Sequence, residues 1–238
     1  MVLVARNQQQ LQQTAAELTQ QYGILTHVIA ADLAEPGAAQ KIFVQTQEAN
    51  LSVDILINNA GFGKWGEFLN FDTAVYNSML YLNIITLTDL CHLYLPKMLE
   101  KKEGGIINVA STAGFLPVPY AAVYAASKSY VLNFSEALYG EYSNQGITIL
   151  ALCPGGTQTH FAAVADPTVD TTDSFKATPD TVVQDALDAF LKHKPSIVSG
   201  WQNYFNILML RFFPRKTTIA LVGAIWKKVI NKKKSKSM

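Results

Sequence analysis

The sequence predicts an α/β fold built on a parallel sheet, and three observations carry that expectation. Short apolar runs of strand length alternate along most of the chain with segments of helical periodicity. The first run, Val2-Leu3-Val4-Ala5, is apolar at successive positions, as in a strand covered on both faces. The chain has 238 residues, about half apolar and a sixth charged, enough for one large α/β domain with a substantial core.

Strands are expected at Val2–Ala5, His27–Ala31, Val53–Asn58, Gly105–Ala110, Ile147–Cys153 and Ser196–Ser199. Between the first two, Leu11, Ala15, Leu18 and Tyr22 recur at helical spacing until Gly23 stops the helix, and the glutamines at 8–10 and 12–13 belong to it. A long helix carries "YLNIITL" at 81–87, and another covers "PYAAVYAASKSYVLNFSEALYGEY" at 119–142. Thr178, Pro179 and Asp180 begin a further helix as N-cap, first helical residue and first-turn acid. Residues 156–177, rich in Thr, Asp and Ala, are expected to form a mobile loop. The domain is expected to span 1–200, followed by an apolar, basic extension over 201–238.

The net charge of +1 conceals an asymmetry. From Trp201 onward there are nine Lys and Arg and no acid, which leaves ten bases against eighteen acids in residues 1–200. Nucleic acid is not an expected partner. Cys91 and Cys153 lie far apart and suggest no disulfide framework, so a reducing cytoplasm is the expected setting. The four histidines have no metal-ligand spacing, and no metal is expected. The opening apolar stretch is too short for a signal peptide.

The chemistry centres on Tyr124 and Lys128, placed at i and i+4 on one helical face. An ammonium beside a phenol stabilises the phenolate and lowers its pKa toward the working range, although the same spacing also describes a half-buried Tyr beside a solvated Lys. The strand "GGIINVAST" delivers Ser111 at its carboxyl end, thirteen residues before Tyr124, and the helix upstream carries Asn83. With Asn58-Asn59-Ala60-Gly61 after one strand, Asn83, Ser111, Tyr124-Ala-Ala-Ser-Lys128 and Pro154-Gly155 in that order, the sequence resembles the short-chain dehydrogenase/reductase family over nearly all of residues 1–200.

The resemblance implies a Rossmann-like doubly wound parallel sheet and an NAD(P)-dependent oxidoreductase that interconverts a carbonyl and a secondary alcohol. By the same resemblance Tyr124 exchanges the proton, Ser111 hydrogen-bonds the reacting oxygen, Lys128 tunes Tyr124 and holds the nicotinamide ribose, and Asn83 positions a water that links Lys128 to solvent. Asn59, Ala60 and Gly61 would let the backbone approach the dinucleotide. Asp32 would contact the adenine, and an acid approaching a helix is its alternative. Pro154 and Gly155 would lie against the nicotinamide, with Thr157 and Thr159 reaching its carboxamide or the phosphates. Arg6, with no acid beside it at the end of its strand, favours NADP over NAD by charge-assisted bonds to the 2'-phosphate, and a solvated surface Arg is its alternative.

The family's phosphate loop, a Thr-Gly-x-x-x-Gly-x-Gly turn, is absent, and no glycine precedes Gly23. Val2–Ala5 corresponds to the family's second strand, so the first strand, the glycine loop and the first helix, on the order of 30 residues, are expected to be missing. Met1 is then an internal methionine of a longer polypeptide, with a genuinely short protein as the alternative. In the order 3-2-1-4-5-6 the missing strand separates the second from the fourth, which leaves two apolar edges without partners.

In the extension, two apolar pieces flank Pro214-Arg215-Lys216, each too short to span a membrane. The segment is expected to wall an apolar pocket, to rest on an anionic membrane, or to pack on a second subunit. The expected substrate is therefore apolar or lipid-like. A non-enzymatic, SDR-like fragment that has lost cofactor binding is the competing reading.

Overall fold

The computed structural model describes residues 1–165 and 177–234. The elements run β1 (Val2–Ala5), α1 (Gln8–Tyr22), β2 (His27–Ala30), α2 (Ala38–Glu48), β3 (Ile55–Asn58), α3 (Thr73–Leu80), α4 (Leu87–Lys101), β4 (Gly104–Val109), α5 (Ala122–Tyr142), β5 (Ile147–Cys153), α6 (Phe161–Ala165), α7 (Pro179–Leu191), β6 (Ser196–Val198), α8 (Trp201–Leu210) and α9 (Arg215–Lys234). Each expected strand is present, with ends that differ by a residue or two. The differences are of labelling more than of bonding: Ala31 N–H still donates to the Ala5 carbonyl (3.0 Å) and Ala110 N–H to the Leu152 carbonyl (2.7 Å).

Local chemistry sets the helix ends. Asn7 caps α1 by accepting from the Gln10 N–H (3.0 Å), and Gly23 ends it at φ 65°, where a residue with a Cβ would be strained. Thr178 accepts from the Thr181 N–H (3.3 Å) with Pro179 in the first turn of α7, as the sequence predicts. Of the loop expected at 156–177, residues 166–176 lie outside the described residues. Its described flanks include α6 and a bridge between Thr157 and Ala177.

Among the described residues all strand pairs are parallel, and helices cover both faces of the larger sheet. Strands β3-β4-β5-β6 form one sheet in that order. Helices α4 and α5 cover one face, where Met98, Val131, Ile106, Ile147 and Ile149 are buried together. Helix α7 covers the other with Val182, Ala186 and Ala189 against Ile107, Leu150 and Leu152. This is the doubly wound α/β arrangement.

The sheet is in two pieces. Strands β1 and β2 pair only with each other among the described residues, from Val2 opposite His27 to Ala5 opposite Ala30. Side chains hold this pair to the larger sheet's side: Thr86 Oγ1 donates to the Leu33 carbonyl (2.7 Å), Thr46 and Tyr94 share a hydrogen bond (2.9 Å), and the Phe43 and Tyr94 rings meet edge to face at 5.3 Å. Between β1 and β3 lies a cavity of about 910 Å³, lined by Met1–Val4 on one side and Val53–Asn58 on the other. Ile55 and Ile57 face outward from β3, more than half exposed. Each forgoes roughly 1 kcal/mol of burial relative to a covered isoleucine. The gap stands where the order 3-2-1-4-5-6 places a strand between the second and the fourth.

If the gap is a strand slot, the 238-residue chain binds a hydrophobic dye such as anilinonaphthalene sulfonate strongly, because two apolar edges stay wet. Supplying the in-frame upstream-encoded strand in the same polypeptide lowers dye fluorescence and raises the thermal midpoint by several degrees. Equal dye binding with and without that segment would show that the slot is not its place.

Candidate active site

Strand β4 ends at Val109, and the chain turns at once so that Ser111 caps a single 3-10 turn over Thr112–Phe115, its Oγ accepting from the Ala113 N–H (3.1 Å). Helix α5 starts at Ala122 and presents Tyr124 and Lys128 on one face. Lys128 is only 4% exposed; its ammonium donates to the Val109 carbonyl (2.6 Å) and lies 6.0 Å from the Tyr124 ring centre. The Ser111 hydroxyl acts on the Tyr124 phenol, favouring its ionised form. Thus the end of β4 and the first turns of α5 bring together three residues that the sequence singles out.

The loop after β3 closes over the same point. A side chain at Gly61 would place its first carbon 3.0 Å from Asn83 Oδ1 and 3.4 Å from Lys128 Nζ, so these neighbours would have to give by a few tenths of an ångström. Asn83 reaches this loop from an irregular helix. Residues Tyr81–Thr86 form a π-helical turn between α3 and α4, a feature frequent at functional sites. The Asn83 side chain accepts from the Phe62 N–H (3.2 Å) and donates to the Phe62 carbonyl (3.0 Å) and to Ser127 Oγ (3.0 Å). Its amide therefore fixes the loop and the helix to each other.

Below the site, Asn58 donates to Asn108 (2.8 Å), Asn108 to Ser135 (2.9 Å), and Ser135 to the Val131 carbonyl (2.7 Å). These buried bonds join β3, β4 and α5. Cys91 and Cys153 are free and buried, and burial pushes both thiols up to about 12.

Burial also governs the charges at the site. It raises the Tyr124 hydroxyl above its ordinary value, with the Ser111 hydrogen bond acting the other way. It lowers Lys128 to about 8. The tyrosine pKa is thus raised in this arrangement, because loss of water outweighs the Ser111 hydrogen bond. The lysine becomes the stronger acid of the pair.

Arg6, Asp32, Ala60 and Gly61 meet at a second, smaller cavity of about 270 Å³. Arg6 pairs loosely with Asp32 (3.9 Å), both side chains partly or largely exposed, and Asp32 accepts from the Ala34 N–H (2.9 Å). Asn59 is exposed at the end of β3 and does not line that cavity. The Pro154 carbonyl accepts from the Thr112 N–H (3.0 Å), which ties the loop after β5 to the turn that holds Ser111. Gly155 lies against Asn203 of α8, where an added side-chain carbon would come within 2.5 Å of Nδ2. Thr157 Oγ1 donates to the Gly155 carbonyl (3.2 Å), and Thr159 accepts from the Phe161 N–H (3.3 Å). The two threonines bond within their own loop.

A series of three aromatic residues that no sequence pattern links leads away from Tyr124. The Tyr124 and Phe161 rings are 5.5 Å apart, Phe161 and Trp65 6.5 Å, and Trp65 and Trp226 5.3 Å edge to face. They come from α6, from the glycine-rich loop around Gly61, Gly63 and Gly66, and from α9. Ser127, which accepts from Asn83, also escapes sequence reasoning, since nothing distinguishes it from an ordinary helical serine.

The short chain dehydrogenase family model matches residues 1–170. The chain belongs to that family. This short-chain dehydrogenase is 33% identical over 192 residues to a very-long-chain 3-oxoacyl-CoA reductase of Anas platyrhynchos, a match that covers 78% of the chain and 59% of the relative. The chain thus spans about three fifths of the length of such relatives. Among solved structures, a short-chain dehydrogenase from Sphingobium yanoikuyae in complex with NADPH is 29% identical with a TM-score of 0.78, covering 87% of this chain and 82% of that one. A structure described for 7beta-hydroxysteroid dehydrogenase stereoselectivity shares the fold at TM-score 0.83 and 24% identity, covering 93% and 86%.

The lowered lysine gives a pH signature. Because the folded state binds the Lys128 proton less tightly than the unfolded state does, the charged form costs stability below about pH 8, and the cost is relieved as pH rises from about 8 toward 10.5. Relative to Lys128→Met, the protein should gain on the order of 2 kcal/mol in denaturant unfolding between pH 7 and pH 9.5. A difference independent of pH would contradict the buried ammonium.

Proposed function

We propose that the protein interconverts a carbonyl and a secondary alcohol with a nicotinamide dinucleotide, preferring NADP(H), on an apolar, lipid-like substrate. The observation that carries this reading is the convergence of Ser111, Tyr124 and Lys128 at one point beside Gly61, beyond the carboxyl ends of β3 and β4, where open parallel sheets bind ligands. The residues fit the cofactor at its adenosine end, where Arg6, Asp32, Ala60 and Gly61 border a cavity. When bound, the nicotinamide supplies or accepts a hydride.

The protein's own groups do the remaining work. Tyr124 gives its proton to the carbonyl oxygen, or takes the hydroxyl proton in the reverse direction, and Ser111 hydrogen-bonds that oxygen as charge develops. Lys128, the stronger acid of the pair, restores the tyrosine proton and holds the nicotinamide ribose. Asn83 acts on Lys128 through the Phe62 loop and Ser127, with a water linking the lysine to solvent. Asn59, Ala60 and Gly61 give the dinucleotide close backbone approach, and Asp32 contacts the adenine. Pro154 and Gly155 lie against the nicotinamide, with Thr157 and Thr159 toward its carboxamide or the phosphates. Phe161, Trp65 and Trp226 wall the substrate side with apolar surface. The matched very-long-chain 3-oxoacyl-CoA reductases support an extended acyl substrate. The glycine turn that meets the diphosphate belongs, in this reading, to polypeptide that fills the slot between β1 and β3. The protein works in the cytoplasm against a membrane surface, and no described helix is long and apolar enough to cross one.

The divided sheet favours a second reading for the isolated chain: an SDR-like fragment that keeps the site residues without cofactor affinity. Titration of the 238-residue chain with NADPH separates the two, since ordinary micromolar binding without the upstream segment would exclude the fragment reading.

In the polypeptide that includes the slot-filling strand, Tyr124→Phe should reduce ketone-dependent NADPH oxidation at least about a thousandfold while NADPH binding survives, since only the transferable proton is lost. Activity within a few-fold of the parent would refute the mechanism. Arg6→Asp should shift the ratio of kcat/KM values from NADPH toward NADH by roughly tenfold or more, because it exchanges attraction to the 2'-phosphate for repulsion. An unchanged ratio would remove Arg6 from that role.

A further inference from the structure

The helices beyond Gly200 have two unlike faces. Inward, Ile207, Thr218 and Val222 are buried, Val222 joins Val118, Ala121 and Ala125, and Trp226 packs on Trp65. Outward, Trp201, Phe205, Leu208 and Phe212 follow one another at positions i, i+4, i+7 and i+11. Trp201 is 76% exposed and Phe212 75%. Tyr204, Met209 and Phe213 widen the stripe, and Leu221 and Ile225 extend apolar surface onto α9. Arg211, Arg215 and Lys216, all exposed, stand where α8 gives way to α9.

We propose that this outer face docks on an anionic lipid surface, with the α8 aromatic residues in the headgroup layer and the cations of the junction against lipid phosphates and carboxylates. Charge decides among occupants. A two-fold dimer through this face would set the patch against itself, and from Trp201 onward the chain has nine cations and no acid to neutralise them. An anionic membrane supplies the missing charge along its whole plane, and large aromatic residues beside Arg and Lys suit its interface. The inner face of the same helices carries Trp226 into the wall beside Tyr124, so a lipid-borne substrate would arrive at the docked side. This last step rests on the oxidoreductase reading; the docking itself does not.

The test is vesicle flotation of the full polypeptide, together with turnover of a water-soluble ketone. The parent should float with phosphatidylcholine vesicles containing phosphatidylserine and not with phosphatidylcholine alone, and high salt should release it. Replacing Trp201, Phe205 and Phe212 together by Ser should weaken binding about tenfold or more, since three exposed aromatic groups lose their burial. Arg211→Glu with Arg215→Glu and Lys216→Glu should abolish it. Both variants should keep the parent's circular dichroism and ketone turnover. Failure of the parent to float at low salt, or equal flotation of both variants, would overturn the proposal. A dimer seen by sedimentation that the serine substitutions dissolve would overturn it in favour of a second copy. Flotation without any ketone turnover would leave the docking intact and refute the enzymatic reading.

Discussion

The arrangement of the site depends on keeping one ammonium group almost out of water. Lys128 loses the solvation of a cation and gains a single backbone carbonyl, that of Val109, among the bonds described. Everything packed against it is consistent with that constraint. A glycine lies close over it, an amide holds the glycine loop, and the helix bearing the amide has a π turn at that point. The three adjustments come from three separate segments of the chain, and each is local and small. Their joint result is a lysine whose proton is loosely held beside a tyrosine whose proton is tightly held.

The split sheet presents the opposite situation, in which apolar surface lacks a partner. Strands β1 and β2 are kept in place by α2 against α4, through Thr46, Phe43 and Tyr94, and not by strand pairing with β3. The larger sheet is complete on both faces near β4 and β5, whose residues are almost wholly buried. The site residues of β4 and α5 therefore sit on the well-packed part, while the residues around Arg6 sit on the part held by fewer contacts. The residues around Arg6 and those around Tyr124 thus differ in how firmly the fold supports them.

Much of this was legible in the sequence because the signals are short-range. Runs such as "ITILALC" have one simple fate in an α/β chain, and β5 begins and ends where that run does. The spacing of Tyr124 and Lys128 fixes them on one helical face regardless of what surrounds them. Without a glycine before Gly23 the chain offers no phosphate turn, and β1 and β3 do not pair among the described residues. What stayed hidden depends on distant pairs. No local pattern announces that Asn83 lies in a π turn, because that register is set by its bonds to Phe62 and Ser127. Nor could residues 65, 161 and 226 be joined without the fold. The direction of the tyrosine shift was misjudged from sequence for a related reason: proximity of charge was visible, and depth of burial was not.

The contact between Trp65 and Trp226 has an optical consequence. Of the three tryptophans in the chain, these two touch each other within the aromatic group beside Tyr124, whereas Trp201 stands largely in solvent on the far side of the α8–α9 segment. The intrinsic emission of the protein is therefore a sum of two separable signals. The coupled pair senses what enters the site wall, and the lone exposed indole senses the polarity of whatever meets α8. Removing the exposed indole alone would isolate the first signal, so the two faces of the C-terminal helices can be watched independently without an added label.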